Sequence, residues 1–229
     1  MKYEEFEDII SPERMQRYLQ ACANNTKKAM TLYRYNLKLS QEMFTIISCF
    51  EVAIRNRIDK VMKQNFGNDW LRDSILPGGR FDSDPRVLGT KKIIKKAYED
   101  LLRNNNYTHT KLLAEMEFGV WKFMYNNVQY RLVNRCLLSV FPNKPTSTPT
   151  LHYDNTFVFA KLDCINIVRN RIAHHEPVCF GNSNTIVTRM IVDCYNSIEL
   201  LFGWMGINSA DFLYGLNHIN NVCKLVVGI

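Results

Sequence analysis

Between Val168 and Pro177 the chain reads VRNRIAHHEP, which puts two arginines, an asparagine and two adjacent histidines into a turn and a half of helix before a proline. On a helix Asn170 and His174 share a face, as do Arg171 and His175, because residues four apart stack one above the other. Arg169 lies about 140° round from His174, at about 100° per residue, and its long side chain reaches back toward the same rim. A histidine gives and takes protons near neutral pH, and an arginine beside it can grip phosphate oxygens with two parallel hydrogen bonds. Together these are the parts for breaking a phosphodiester by internal attack of a ribose 2′-hydroxyl, a reaction that requires no metal and is open to RNA but not to DNA. The same residue types have a plainer use, since basic side chains near a helix C-terminus satisfy its last carbonyls. A metal site built from His174, His175 and Glu176 is disfavoured, because adjacent histidines on a helix diverge by about 100°. No metal and no cofactor is expected.

An echo of the motif, IRNRI at Ile54–Ile58, has no histidine after it. Just before it, Glu51 and Arg55 flank an apolar stripe of Ile47, Phe50, Ile54, Ile58 and Val61. Glu four residues ahead of Arg is the favoured order for a helical ion pair. Either the two form a boundary salt bridge of little energetic weight, or Glu51 reaches across to orient an arginine or asparagine of the 168–177 motif. A third group, Lys91, Lys92, Lys95 and Lys96, makes a basic stripe opposite Ile93, Ile94, Ala97 and Leu101. It reads as a solvated helix face or as a surface that tracks phosphates.

These groups need a frame. At 229 residues, 46% hydrophobic and 12% aromatic, the chain is long enough for one well-buried domain. The formal charge of +7 favours a polyanionic partner, since each phosphate neutralised releases a counterion. The longest apolar run, MFTIISCF, is too short to span a bilayer, so no membrane association is expected. Seven scattered cysteines without a CxxC pair, and an acidic start unlike a signal peptide, fit a reducing cytoplasm.

Almost every segment reads as helix. Ser11-Pro12-Glu13 is a start signal for a helix to about Ala23. From Thr26, 41 residues without proline or glycine predict one long helix or two nearly collinear ones, ended by Gly67. A short helical turn follows at 68–71 and a loop at 76–85. Asp84-Pro85 then opens a helix to about Arg103. Another is expected from Thr108 or Thr110, in which Phe118, Trp121, Phe123 and Tyr125 read as core or interface, and it continues after a kink into VQYRLVNRCLLSVF. Residues 142–150, with three prolines, form the clearest linker. The helix carrying the motif should run from about Tyr153 to near His175 or Glu176, because a residue before proline is pushed out of the α region. GNSN at 181–184 is expected to cap an apolar helix to about Trp204, with a last helix from Ser209. No stretch alternates long enough for a sheet, so the fold class is all-α.

Four stretches in order, PERMQRYLQACANNTKKAMTLYRYNLKLSQ, FEVAIRNRIDKVM, AEMEFGVWKFM and VRNRIAHHEPV, resemble the Abi-like (abortive infection, AbiF/AbiD-type) proteins of bacteria, over about Ser11 to Val178. That family is similar to HEPN-domain proteins, all-helical domains that often act as metal-independent RNases. The resemblance implies one all-helical domain over 1–229: a HEPN-like bundle with additional N-terminal helices, an appendage at 1–25, and the motif-bearing helices within 151–205. It implies an active motif of an arginine, four to six residues and a histidine. Arg169, Asn170 and His174 match this pattern, Glu51 and Arg55 fall where supporting polar groups sit, and His175 is a second candidate ring. Because such RNases set two motifs face to face and this chain has one, a homodimer is implied. So are toxin-like activity in phage defence, products with 2′,3′-cyclic phosphate ends, and a small RNA encoded nearby as partner or restraint. The alternative is a non-catalytic RNA-binding protein of a ribonucleoprotein complex, in which the same cluster only clamps phosphate.

Overall fold

The 41 residues free of proline and glycine form a single helix, α3 (Thr26–Phe66). The computed structural model describes residues 1–82, 84–181 and 184–229. At the start of α3, Asn25 Oδ1 accepts from Lys28 N at 3.1 Å, which satisfies one of the amides that a helix leaves unpaired. Along it Leu32, Leu39, Met43, Ile47, Phe50, Ile54 and Ile58 recur at helical spacing, and each is at most 1% exposed. Each such burial contributes about 1.5–3 kcal/mol, which accounts for the helix's persistence better than its mixed propensities do. Gly67, at φ 89°, stops it in a left-handed conformation that glycine adopts at little cost.

Ahead of α3 lie α1 (Tyr3–Ile10) and α2 (Pro12–Ala21), joined at Ser11. Ser11 is the last cap of one and the first cap of the other: its hydroxyl accepts from Arg14 N at 3.4 Å, and Pro12 takes the first helical position, where its missing N–H costs nothing. After α3 come α4 (Trp70–Asp73), a 3-10 turn at Pro85–Val87 and α5 (Leu88–Arg103). In the loop between α4 and that turn, a Cβ on Gly79 would stand 2.3 Å from the Asp73 carbonyl oxygen, so only glycine fits. Ser83 of this loop lies outside the described residues.

The segment expected as one kinked helix from Thr108 is four separate pieces: α6 (His109–Ala114), α7 (Phe118–Phe123), α8 (Asn127–Leu132) and a 3-10 turn at Cys136–Val140. Two extended residues, Glu117 and Asn126, break it, and Asn126 Oδ1 accepts from Val128 N at 3.0 Å to start α8. Phe118, Trp121 and Tyr125 are core, whereas Phe123 is 42% exposed. Residues 142–150 carry no helix or strand. The motif-bearing helix α9 runs Asn155–Ala173 and stops short of both histidines. It is followed by α10 (Arg189–Trp204), α11 (Ser209–Phe212) and α12 (Ile219–Val227). Gly181 and Asn184 stand apart from the start of α10, so they do not cap it. Asn182 and Ser183, between them, lie outside the described residues. Among the described residues there are twelve α-helices and no strand, only an antiparallel bridge from Phe180 to Ile186. The fold is all-α.

The chain divides into two compact units, one of Met1–Cys49, Ile167–Glu199 and Ser209–Ile229, the other of Phe50–Asn166 and Leu200–Asn208. In the first, Tyr18 meets Tyr33 and Phe180 edge-on at 5.2 and 5.0 Å between ring centres, and Tyr33 meets Phe6 at 5.5 Å. In the second, Phe50 packs on Phe202 at 5.4 Å and Phe157 stacks on Trp204 at 5.3 Å. A buried polar knot accompanies them: Asp59, 8% exposed, accepts from Trp70 Nε1 at 2.8 Å, meets His109 Nε2 at 2.7 Å and pairs with Lys63 at 2.7 Å. Burial pushes the Asp59 carboxyl up, but the bonds from His109, Lys63 and Trp70 outweigh it and hold it down at about 2.

Candidate functional site

The end of α9 is where the motif acquires its geometry. His174 N still donates to Asn170 O at 2.9 Å, so Asn170 and His174 keep the helical four-residue relation that the spacing predicts. The chain then turns away. His175 N donates to Ile172 O at 3.0 Å and Glu176 N donates to Arg171 O at 2.8 Å, with His175 at φ 56°. This pair of bonds closes a helix through one left-handed residue, a position usually held by glycine or asparagine. The turn corrects two expectations: the helix does not reach His175, and Arg171 and His175 do not share a helical face. Arg171 instead pairs with Glu176 across the turn, Nε to Oε2 at 3.2 Å, and Nη1 donates to Met190 Sδ at 3.4 Å.

Asn170, His174 and His175 are exposed, while Arg169 is half-buried. Its Nε is enclosed and has no hydrogen-bond partner among the described residues, and Nη1 points to Asn170 Oδ1 at 3.5 Å. A donor held out of water without a partner carries a penalty of about 1–3 kcal/mol, which a bound acceptor would relieve.

The turn is clamped by the N-terminal helices. Arg14 of α2 donates from Nη1 to His175 O at 3.1 Å. One turn later Arg17 donates to Gly181 O at 3.1 Å and Asn184 Oδ1 at 2.8 Å, with its guanidinium 4.5 Å over the Phe180 ring. From α3, the buried Asn36 accepts from Val178 N at 2.9 Å through Oδ1. Cys179, 0% exposed, lies in this clamped stretch, and burial pushes its thiol up to about 12. None of these contacts has a local sequence signature: the partners stand more than 140 residues apart.

Two grooves border the turn. One, of about 320 Å³, lies against α3 and has the half-exposed Leu37 and Phe44 in its wall, with Gln41, Ile172, His175 and Glu176. The other, of about 420 Å³, lies against α2 and is lined by Ser11, Arg14, Arg17, His175 and Glu176 among others. His175 therefore faces both.

The chain matches the family model described as Abi-like protein over residues 3–179, a span from α1 to the clamped stretch after the turn. It belongs to the Abi-like protein family. No curated protein and no solved structure matches it.

The remaining predicted residues of this Abi-like chain lie in the second unit. Glu51 and Arg55 are half-buried on α3, and Arg55 Nε is enclosed without a partner among the described residues, as Arg169 Nε is. The lysine stripe on α5 is divided: Lys91 pairs with Asp82 at 2.5 Å and Lys95 with Glu99 at 3.6 Å, while Lys92 and Lys96 are exposed. Ile93, expected to face the core, is 44% exposed, and Ile94 carries the burial instead. Among the described residues no group of three or more His, Cys, Asp and Glu is placed to hold a metal ion, and no helix is long and apolar enough to cross a membrane.

Proposed function

We propose that this Abi-like chain is a metal-independent RNA endonuclease of phage defence. Membership of the family supports a role in abortive infection. The observation that carries the nuclease reading is the end of α9, where a half-buried arginine with an unpartnered donor stands beside an exposed asparagine and an exposed histidine one turn on. In the reaction the ribose 2′-oxygen attacks the adjacent phosphorus and the bond from phosphorus to the 5′-oxygen breaks. His174 removes the 2′-proton, and a second histidine returns a proton to the departing 5′-oxygen. Arg169 holds the phosphate oxygens, whose charge grows in the transition state, and Asn170 orients phosphate or ring. The products are a 2′,3′-cyclic phosphate and a 5′-hydroxyl.

Glu51 and Arg55 are assigned as supporting groups, and His175 or the second copy of the motif in a two-fold homodimer as source of the returning proton. Lys92 and Lys96, with Lys91 and Lys95 partly neutralised, are assigned to backbone contact. The enzyme acts in the cytoplasm, and a small RNA encoded nearby binds and restrains it.

The test is cleavage of an RNA panel by the parent and by His174→Ala, with analysis of the product ends. General acid–base groups contribute about 10²–10⁴-fold, so a loss of that size with cyclic phosphate ends is expected. Equal cleavage by both proteins removes His174 from the mechanism, and tight salt-sensitive binding with RNA recovered intact replaces the enzyme by a phosphate clamp.

A further inference from the structure

The second unit contains a pocket that the nuclease reading does not use. It measures about 370 Å³ and is lined by Asn127, Tyr130, Arg131, Arg135 and Asn155, two guanidiniums, two carboxamides and a phenol, with no carboxylate among them. Two acids lie nearby: Asp154, whose Oδ1 accepts from Thr156 N at 2.9 Å and Phe157 N at 3.0 Å, and Asp84, which pairs with Arg86 at 2.6 Å.

Asn155 Nδ2 spends its two protons on Tyr125 O at 3.0 Å and on Asn127 Oδ1, and the second bond fixes which way Asn127 faces. Asn127 Oδ1 accepts from Asn155 Nδ2 at 2.7 Å and from the Thr156 hydroxyl at 3.5 Å, so Nδ2 is the group that Asn127 offers a ligand. Arg131 Nε donates to Asn127 O at 3.1 Å, which ties down one edge of the guanidinium. Arg135 is delivered by the backbone: Asn134 N donates to Arg131 O at 3.0 Å and Arg135 N to Tyr130 O at 2.9 Å, and both residues are left-handed, at φ 55° and 56°. Two successive side-chain-bearing residues in that region are costly, and such strain persists where the surroundings fix it, often at ligand sites.

We propose that this pocket binds a phosphate group, with Arg131 and Arg135 supplying the charge and Asn127 a neutral donor. Planar guanidiniums suit phosphate oxygens, and a lining that carries two of them and no carboxylate favours an anion. The phosphate comes either from an RNA backbone or from free inorganic phosphate, and the chemistry of recognition is the same for both.

The test uses the full chain carrying His174→Ala, with and without Arg131→Gln plus Arg135→Gln. Single-stranded RNA binding is measured across a salt series, and thermal unfolding is measured with inorganic phosphate against chloride of equal ionic strength. Each RNA phosphate that the variant no longer neutralises makes the slope of log K against log salt shallower by about 0.7. A shallower slope in the double variant establishes backbone phosphate as the occupant. An unchanged slope, with a phosphate-induced rise in melting temperature present in the parent and lost in the variant, establishes free phosphate. The same slope and the same phosphate response in both proteins overturn the site. Arg135→Gln alone keeps the bond from Arg131 to Asn127 and guards against misfolding of the double variant. A parent that binds no RNA at all defeats the endonuclease reading instead, and the phosphate arm still decides the pocket.

Discussion

Replacing His175 by glycine is expected to make the protein more stable. The residue sits at φ 56°, where a side chain presses on the following carbonyl at a cost of about 1–2 kcal/mol, less for histidine than for a β-branched residue. Glycine removes that cost but brings a more mobile unfolded chain, worth about 0.5–1 kcal/mol in the other direction. The bonds that close the turn, His175 N to Ile172 O and Glu176 N to Arg171 O, are made by backbone and survive the change, as does the bond from Arg14 to the His175 carbonyl. The ring is exposed, so little burial is lost. The net gain is about 0.5–1 kcal/mol, or about 1–4 °C in melting temperature for a chain of this length. His174, whose φ is not positive, provides the internal control: glycine there is expected to destabilise by about 0.5–1 kcal/mol. Thermal unfolding and a urea titration with unchanged slope are the assays. A His175→Gly protein that melts at or below the parent refutes the reasoning, because the turn is then unstrained. The same variant divides the histidines by function. A stabilised but inactive protein assigns chemistry to the His175 ring, and a stabilised, active one leaves it to His174.

Arg14→Ala removes the clamp on the His175 carbonyl. As Arg14 is exposed, a stability loss below about 1 kcal/mol is expected, together with about a tenfold fall in RNA cleavage from the loosened turn. Cleavage at the parental rate would mean that α2 does not position the histidines. Acid titration probes the other unit. The Asp59 carboxyl is held at about 2 against an unfolded value of 3.8, so its contribution of about 2 kcal/mol is present above pH 4 and lost as the pH falls through 2. Asp59→Asn should flatten this part of the curve, and an equally steep acid loss in the variant would assign it to other carboxylates.

How far the sequence reached can be read from particular elements. The whole of α3 was legible because 41 residues without a breaker carry an apolar stripe at the right period, and burial follows that stripe. The arginine, asparagine and first histidine were legible as a group because the backbone stays helical through the bond from His174 N to Asn170 O. The left-handed turn at His175 was not, because the residue that ordinarily announces it, glycine, is absent. Helices α6 to α8 were hidden for the opposite reason. Their six-residue lengths are shorter than two turns, so LLAEMEFGVWKFM reads as one continuous pattern, while the breaks fall at Glu117 and Asn126, each next to a buried aromatic, Phe118 and Tyr125. The clamp from Arg14, Arg17 and Asn36 rests on pairs distant in the chain, which local periodicity cannot register.

The burial of Cys179 makes the stretch after the turn a natural reporter of its own breathing. A thiol enclosed by Tyr18 and its neighbours, and kept protonated, is inert to electrophiles while the clamp holds. It becomes a nucleophile when 176–181 lifts away, so the pace at which an alkylating reagent captures it records how often the chain beside the histidines comes loose.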